Sequence, residues 1–465
     1  MIITINNLGP IQQANFDFDK KLSVFCGPNN TGKTYLSYVL YAFTRQRIFA
    51  FEESLTDAQL NDFFVKRSLL LTINFESIYE AMSKRRFSMP GDMATIFGIS
   101  ETNAEKLFAD FEMHISVDKD VYVANLKERE IDVTISTKGQ SLAQVTKKTG
   151  ENVLLVQNIS SSLDIDREAI KDELLNQIYK ILSFPVFFSH FFPVERIGLY
   201  TYYKDIMANR SQLMGLLQRL ENDNRQALLD YISRNSSRYP VAVSYTLDAA
   251  NKMSVLSQER GYYANLADDI EEDILGGKLT LTDEGDLRYT SKKVPDKDIP
   301  LYLTASMTKS ISGIVYALRH VVGRYDMIFI DEPEVNCHPN AQILMARIFG
   351  KMVNAGLRIV VSTHSDYIIR ELNNLIMAEA LQRKVKDIKI DDEYGYSKDE
   401  LLNVSDVGAY SFNPDHEGRV KVVELEVNDY GFDVKSINAA IEAQNSITND
   451  LYDRLTYEVL DDGDK

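Results

Sequence analysis

A glycine-rich segment near the start of the chain constrains the fold more than any other feature. Residues Gly27 to Thr34 fit the phosphate-binding loop pattern G-x-x-x-x-G-K-[ST] at every fixed position. The apolar run Leu22–Cys26 predicts a buried strand before this loop, and Tyr35–Phe43 predicts a helix after it. A strand, a glycine loop and a helix N-terminus together direct main-chain N–H groups at a bound anion. The segment therefore predicts a phosphate site in an α/β fold.

The side chains of this loop predict a magnesium-bound nucleoside triphosphate as the ligand. The lysine of the pattern reaches the terminal phosphates, and the hydroxyl that follows it ligates magnesium. Lys33 and Thr34 take these two places here. The loop residues predicted to contact the nucleotide are Gly27, Asn29, Asn30, Thr31, Gly32, Lys33 and Thr34.

Composition predicts a packed protein without a membrane span. The 465 residues suffice for two or three domains, or for one large core with insertions, and 45% of them are apolar. No apolar run reaches the roughly 18 residues that a spanning helix needs, and the first residues predict a strand rather than a signal peptide. The two cysteines, Cys26 and Cys337, are expected to be packed in the interior of a cytoplasmic protein rather than metal-bound.

The charge of the chain bears on its partners. A formal charge of −17, from 51 basic and 68 acidic side chains, argues against a broad nucleic-acid-binding surface. A local basic groove stays open, with short runs at Lys84–Arg86, Lys147–Lys148 and Lys292–Lys293 as its candidates. A solvated surface explains each run better. The balance therefore favours proteins over DNA as partners.

The first part of the chain predicts a change from β to helical and back to β structure. Met1–Cys26 predicts a short β-meander that leads into the phosphate loop. Residues 50–113 are expected to be mainly helical, with Leu69 and Leu70 on a helix. The strands expected between residues 117 and 156 include Val121–Val123, Ile131–Ile135 and Val153–Val156.

The middle of the chain predicts long helices. Helical spacing runs over Ile170–Leu182, and Phe184–Phe188 is strand-like. Two further helices, from Tyr203 to about Asn235 and from about Leu247 to Leu275, predict a projecting helical arm. The alternation from Leu279 to Tyr289 predicts a hairpin.

An apolar strand that ends in two acids completes the predicted nucleotide site. Met327–Asp331 has no polar residue before its final aspartate, as expected of a strand buried on both faces. Ligands of open α/β sheets bind at the carboxyl ends of such strands. Asp331 is therefore expected to hold the magnesium ion, and Glu332 to polarise the attacking water as general base.

A second strand end carries a histidine. The β-branched run Ile359–Val361 leads through Ser362 and Thr363 to His364, which could order the attacking water or bond the terminal phosphate. Ala341–Val353 predicts a helix between the two strands. His364 is therefore a catalytic candidate beside Glu332.

These motifs resemble a known family. The loop G-P-N-N-T-G-K-T, the strand end I-D-E-P-E followed by N-C-H-P, and the S-T-H-S-D-Y turn are similar to those of ABC-type ATPases of the SMC/RecF/OLD group. The likeness is greatest to stand-alone bacterial AAA-family ATPases, many of which lie in anti-phage defence operons. Four further segments resemble the family: Phe192–Arg196, Ile274–Lys278, the signature-like Leu303–Ser310 and Val427–Gly431.

The resemblance implies an α/β fold, the ABC/SMC-type ATPase head, with a mixed and parallel sheet, flanking helices and a helical arm insertion. The implied first lobe spans residues 1–200 and holds the phosphate loop. The implied arm spans 201–276, the second lobe 277–385, and a C-terminal appendix 386–465.

The resemblance also implies that ATP and Mg²⁺ are shared between two subunits arranged head to tail. Ser306 of one subunit, at the start of a helix, would face the phosphates bound by the other subunit. The double glycine of transporter signatures is absent, and Thr308 is an alternative to Ser306. Arg196 matches the family's P-A-x-R element, or it forms a structural salt bridge.

By analogy with the family, the resemblance implies a nucleotide-switched homodimer, or higher homo-oligomer, that senses or scaffolds and controls a separate nuclease or toxin in anti-phage defence. We expect the segment after Ser365 to carry no Toprim nuclease domain like that of OLD proteins, because its acidic pairs are not followed by the strands that such a carboxylate site needs. A RecF- or Rad50-like DNA-repair ATPase that binds DNA directly is the alternative. The helical insertion and the missing L-S-G-G-Q signature argue against a transporter subunit.

Overall fold

The structure is a computed structural model, which describes residues 1–45, 56–84, 87, 91–137, 140–160, 167–182, 188–204, 206, 239–253, 257, 260–282, 285–386 and 388–461. Two sequence predictions lie largely outside the described residues: the strand-like run that ends at Phe188 and the long helix from Tyr203 to Asn235.

Sixteen strands lie in the described residues. They form one sheet of nine strands and two smaller sheets of four and three strands. The strands are β1 (Ile2–Leu8), β2 (Ile11–Asp17), β3 (Leu22–Cys26), β4 (Ser68–Thr72), β5 (Glu112–Ser116), β6 (Ile131–Thr137), β7 (Gln140–Lys147), β8 (Val153–Asn158), β9 (Ser189–Phe192), β10 (Gly277–Leu281), β11 (Leu287–Ser291), β12 (Asp298–Pro300), β13 (Met327–Asp331), β14 (Arg358–Thr363), β15 (Val407–Pro414) and β16 (Val420–Leu425).

Helices flank these sheets. The labelled helices are α1 (Lys33–Arg45), α2 (Asp57–Val65), α3 (Phe75–Ser83), α4 (Gly91–Phe97), α5 (Glu101–Leu107), α6 (Lys119–Glu128), α7 (Arg167–Leu182), α8 (Val241–Asn251), α9 (Ala264–Ile270), α10 (Ser306–His320), α11 (Pro339–Asn354), α12 (Asp366–Lys384), α13 (Ile390–Tyr394) and α14 (Lys435–Asp461). A further helical stretch spans residues 196–204.

The nine-stranded sheet has the order β5-β1-β2-β16-β15-β3-β14-β13-β9. Its central strands β15, β3, β14, β13 and β9 are parallel, while β1, β2 and β5 pair antiparallel. The class predicted from the sequence, an α/β fold with a mixed sheet and flanking helices, is therefore confirmed. The expected N-terminal β-meander is wrong at its third strand, because β16 and β15 lie between β2 and β3.

The sheet separates two hydrophobic cores. Successive side chains of a strand point to opposite faces, so the central strands contribute to both cores. In β13, Met327 and Phe329 pack into one core, while Ile328 and Ile330 pack into the other. All five residues of β13 and all five of β3 are buried, as expected for strands covered on both faces. The site strands are therefore held rigidly from both sides.

The segment between α1 and β9 forms a satellite layer with its own sheet, β4-β8-β7-β6. Two local predictions are wrong there. Leu69 and Leu70 lie in β4, one buried and one exposed, because pairing with β8 imposes the alternation of a strand. Val121–Val123 lies in α6, because the Asp118 side chain caps this helix at the Val121 N–H. The helix buries Tyr122 on one of its faces. The predicted strands at Ile131–Ile135 and Val153–Val156 are confirmed as parts of β6 and β8.

The predicted second helix of the arm is not continuous. Residues 260–263 are not helical, and the Gly261 N–H donates to the Arg319 carbonyl at 2.6 Å. Leu247 of α8 and Ile270 of α9 lie in the second core, so the described part of the arm packs against the sheet and does not project. The chain then passes through a π-helical turn, Glu271–Leu275, and a left-handed Gly276 into the predicted hairpin, which is confirmed as β10 and β11.

The C-terminal part is built into the main sheet. The segment from residue 386, which we expected to be an appendix, supplies β15, and this strand pairs directly with β3. Its β-branched and aromatic residues are buried because they complete the layer beside the phosphate-loop strand. The domain boundaries given above stay a prediction.

Across the described residues, no helix combines the length and the apolar character that crossing a bilayer would require.

The packing of α11 against the C-terminal segment can be tested at Gly350. A Cβ at this position would overlap the Glu400 carbonyl oxygen, so Gly350→Ala is expected to lower the free energy of unfolding by about 1–3 kcal/mol. Gly198→Ala is the control, because it is also helical and has no atom within 4 Å of the added Cβ. Urea unfolding measures both variants. Equal stabilities would contradict the close approach of the two segments.

Candidate functional site

The candidate site lies where three parallel strands end together. Strand pairing places Asp331 opposite Ser362, and Thr363 opposite Cys26, so the ends of β13, β14 and β3 are level. A cleft of about 670 Å³ opens at this edge. Its lining residues are Pro10, Asn29, Asn30, Thr31, Gly32, Lys33, Thr34, Tyr35, Glu332 and His364.

The phosphate loop connects β3 to α1, as the sequence predicted. Asn30 and Gly32 have positive φ angles of 61° and 89°, which asparagine and glycine tolerate better than other residues. Lys33 is buried, and its Nζ donates to the carbonyls of Gly27 and Pro28 at 3.1 and 2.8 Å. Burial lowers the pKa of Lys33, while the nearby carboxylates of Glu332 and Asp331 oppose that shift. The lysine is thus held inside the loop beside the cleft.

Gly27 packs the phosphate loop against a neighbouring strand and does not line the cleft. Its φ is +144°, and a Cβ there would lie 2.6 Å from the Phe412 carbonyl oxygen. Phe412 belongs to β15, so the C-terminal strand lies directly against the first glycine of the loop. Only glycine leaves room for this contact.

Thr34 and Asp331 come together at the base of the cleft, although 297 positions separate them in the sequence. The Thr34 hydroxyl donates to Asp331 Oδ2 at 2.9 Å, and Ser362 donates to Oδ1. Burial raises the pKa of Asp331, and the two hydrogen bonds act against that shift. A hydroxyl and a carboxylate are the hard oxygen ligands that Mg²⁺ prefers, so this pair fits a magnesium ion.

Glu332 adopts an uncommon backbone conformation at the end of β13. Its φ is +46°, in the left-handed region that non-glycine residues seldom occupy. Its N–H donates to the Ser362 carbonyl at 3.0 Å, which helps to hold this conformation. Strained residues of this kind concentrate at functional sites. The conformation places the Glu332 side chain in the cleft rather than in the core.

His364 faces Glu332 across the cleft. Its Nε2 lies 3.7 Å from Glu332 Oε1. Burial, with the positive charge of Lys33, lowers the pKa of His364 to about 4. The imidazole is therefore neutral at pH 7 and can accept or donate a hydrogen bond there.

Arg196 lies beneath the site and bonds segments that are distant in sequence. It is buried, and its guanidinium donates to main-chain carbonyls of Asp331 at 2.7 Å and Glu332 at 2.9 Å. It also donates to the carbonyl and hydroxyl of Ser310 on α10, at 3.0 and 2.8 Å. Burial lowers its pKa. Among the described residues Arg196 therefore forms no salt bridge, the alternative considered above; its hydrogen bonds join the acidic strand end to α10.

Sequence reasoning gave no role to Glu334. This carboxylate accepts hydrogen bonds from the Thr363 hydroxyl at 2.9 Å and from the His364 N–H at 2.6 Å. Burial raises its pKa. Glu334 is visible in the sequence as the second acid of Glu332-Pro333-Glu334. Which residues its side chain bonds depends on the fold.

Ser306 does not line the cleft. It is exposed as the first residue of α10, whereas Thr308 on the same helix is 4% exposed. Of the two alternatives, Ser306 is the one whose hydroxyl another molecule could reach. Both cysteines are buried and free, and burial raises the pKa of Cys26 to about 12, so its thiol stays neutral.

The connection made by Arg196 can be tested by Arg196→Lys. A lysine keeps the charge but has three donors in place of five, so buried carbonyls lose their partners at about 1–3 kcal/mol each. We expect the free energy of unfolding to fall by about 3 kcal/mol or more. Arg370→Lys is the control, since Arg370 forms an exposed pair with Asp366. A loss no larger than in the control, measured by urea unfolding, would contradict this account of Arg196.

Several solved structures align with this chain. A Pyrococcus furiosus structure, the Smc head domain with an extended coiled coil bound to the C-terminal domain of ScpA, is 10% identical with a TM-score of 0.35, over 96% of this chain and 98% of that one. The SMC head domain from Thermotoga maritima is 9% identical with a TM-score of 0.34, over 92% and 98%. No curated protein matches the chain.

A protein-family model gives the decisive comparison. The model described as the AAA ATPase domain matches residues 1–369, a stretch that contains the phosphate loop, both acidic positions and His364. The ATPase resemblance predicted from the motifs is therefore confirmed. Because the match covers more than three quarters of the sequence, the chain belongs to the AAA ATPase domain family.

Proposed function

We propose that this protein binds Mg·ATP in the cleft, hydrolyses it, and uses the nucleotide to switch between monomer and head-to-tail homodimer. The observation that carries the proposal is the convergence of Lys33, Thr34, Asp331, Glu332 and His364 on one cleft from three separate stretches of sequence. ABC-type ATPases need these chemical groups together, and a structural role for the cleft would not require all of them.

Each of these residues has a distinct proposed task. Lys33 exchanges its bonds to the loop carbonyls for the terminal phosphates of ATP. Thr34 and Asp331 hold Mg²⁺, which would neutralise charge on the phosphates. Glu332 takes a proton from the attacking water, and neutral His364 orders that water or bonds the terminal phosphate. The loop residues Asn29, Asn30, Thr31 and Gly32 surround the phosphates, and Gly27 supports the loop.

The proposed dimer places Ser306 of one subunit against the ATP bound by the other. Ser306 is exposed at the N-terminus of α10, where a helix favours negative charge. Nucleotide held between two subunits binds the closed state better than the open one, which is the differential affinity that a switch requires. Arg196 contacts both α10 and the Glu332 carbonyl, so each subunit can relay closure to its own site.

The proposed output is control of a separate effector, a nuclease or toxin, in anti-phage defence within the cytoplasm. The support is the likeness of the motifs to stand-alone ATPases of defence operons and the charge of −17, which favours protein partners. Co-purification followed by mass spectrometry would identify the effector.

Direct DNA binding finds no added support in the described residues. Lys147 is buried, and its Nζ donates to the carbonyls of Lys127 and Arg129 at 2.6 and 2.7 Å. Lys292 forms an ion pair with Glu272. In two of the three candidate basic runs, one lysine therefore already has protein partners. Tight duplex binding at physiological salt, with faster ATP hydrolysis, would favour the DNA-repair alternative.

The proposed chemistry predicts different effects for two substitutions. Lys33→Ala is expected to abolish ATP binding, because the phosphates lose their main cation. Glu332→Gln is expected to bind ATP but to lower kcat by roughly 10²–10⁴-fold, because the general base is lost. Binding is measured with a fluorescent ATP analogue and turnover by phosphate release, with Glu379→Gln on α12 as control. Wild-type turnover in Glu332→Gln would show that Glu332 is not the base.

The proposed switch predicts a change of mass with ATP. Glu332→Gln with Mg·ATP should elute at twice the 53.0 kDa of one chain in size-exclusion chromatography with light scattering. A further Ser306→Arg substitution should prevent this, because it blocks the contact across the subunits. Ser405→Arg, just before β15 at the opposite end of the sheet, is the control. A constant mass with and without ATP would rule out the switch.

A further inference from the structure

The carboxylate of Glu334 joins the ends of two strands. It lies in the turn after β13, two residues beyond Glu332, and its Oε1 accepts from the Thr363 hydroxyl and the His364 N–H. The donors belong to the last residue of β14 and to the residue that follows it. One oxygen atom therefore ties the turn that carries the proposed base to the turn that carries His364.

These bonds belong to a longer chain of hydrogen bonds that returns to the same turn. The Thr363 hydroxyl oxygen accepts from the Ser365 N–H at 3.0 Å, and the Ser365 hydroxyl donates to Gln342 Oε1 at 2.5 Å. Gln342 Nε2 then donates to the Cys337 carbonyl at 2.9 Å. Cys337 lies three residues after Glu334, so the chain closes on the segment where it began.

The proposed reaction assigns no task to this carboxylate. Glu332 and His364 line the cleft, whereas Glu334 does not. Its other oxygen, Oε2, is inaccessible to solvent and has no hydrogen-bond partner among the described residues. A carboxylate is costly to bury unless hydrogen bonds compensate it, so the bonds that Glu334 does make matter. Its Oε1 bonds both the Thr363 side chain and the His364 N–H, so these contacts fix the position of the histidine turn.

We propose that Glu334 is a positioning residue that holds His364 facing Glu332 by accepting hydrogen bonds from the histidine turn. The inference rests on the proposed ATPase function. The His364 ring lies 3.7 Å from Glu332, and its position depends on the main chain at His364, whose N–H Glu334 binds directly. Glu334 also binds the hydroxyl of the preceding residue, Thr363. Catalytic groups need such support, because a shift of about 1 Å can cost ~10²-fold in rate.

The first test compares two substitutions of the same side chain. Glu334→Ala removes the acceptor and is expected to lower kcat by ~10²-fold with unchanged ATP affinity. Glu334→Gln keeps an amide oxygen at the acceptor position and is expected to retain most of the wild-type kcat. Glu379→Ala is the control, because Glu379 on α12 also has a buried oxygen that bonds none of the described residues, and it lies outside the cleft. Equal losses in Glu334→Ala and Glu334→Gln would overturn the proposal.

The second test asks whether Glu334 acts through His364. The double variant Glu334→Ala/His364→Ala should be no slower than His364→Ala alone, because residues that act through one another are not additive. Thr363→Val removes one of the two donors with little change of shape, and it should lose part of the activity of the wild type. Additive losses in the double variant would show that Glu334 acts independently of the histidine.

The third test needs no ATP hydrolysis. His364 is followed by histidine-selective NMR, with His364→Gln to assign its signal. Burial lowers the pKa of His364 to about 4 in the wild type, and we expect this pKa to be higher in Glu334→Ala than in Glu334→Gln, because the freed ring gains contact with water. Both variants remove the same carboxyl group, so the difference between their pKa values reports the position of the ring. A wild type that hydrolyses no ATP in the first test would refute the ATPase proposal. Equal His364 pKa values in Glu334→Ala and Glu334→Gln would refute the positioning role.

Discussion

The level ends of three parallel strands are the constraint on which the rest of the site depends. Pairing of β13 with β14, and of β14 with β3, sets Asp331, Ser362 and Cys26 at one edge of the sheet. A shift of one residue in either pairing would turn every side chain of that strand to the other face. Burial of β3 and β13 on both faces forbids such a shift, because it would exchange the contents of the two cores. The two cores thus fix the position of the chemistry.

Buried polar contacts refine what the strands set. Arg196 bonds the carbonyls at the end of β13 and the first turns of α10, and Glu334 bonds the end of β14. Each contact joins segments that are distant in sequence, and each uses an ionisable side chain that is largely shielded from bulk water. A buried donor or acceptor that loses its partner destabilises the fold by more than the hydrogen bond contributes to stability. These contacts make the site one connected unit rather than three adjacent loops.

Local sequence patterns predicted helices and strands correctly where the tertiary structure favours the same conformation as the local sequence. The loop, the buried strands and the helix between β13 and β14 follow from periodicity and glycine placement, and they lie where the sequence predicted. The predictions at Leu69 and Val121–Val123 were wrong because pairing with β8 and the Asp118 cap outweighed local propensity. The segment expected to be an appendix contains β15, which pairs with β3 in the main sheet. A strand can pair with a strand from any part of the chain, and no local sequence pattern identifies that neighbour.

The sequence by itself determined the α/β class and the identity of the groups in the cleft, because Lys33, Thr34, Asp331, Glu332 and His364 occupy motif positions whose chemistry depends on residue type and spacing. Only the tertiary structure decided that β15 supports Gly27, that Arg196 bonds carbonyls rather than a carboxylate, and that Glu334 turns toward His364. The reason is physical: a side chain's partners are set by which strands pair and which faces are buried, and those choices depend on the whole chain.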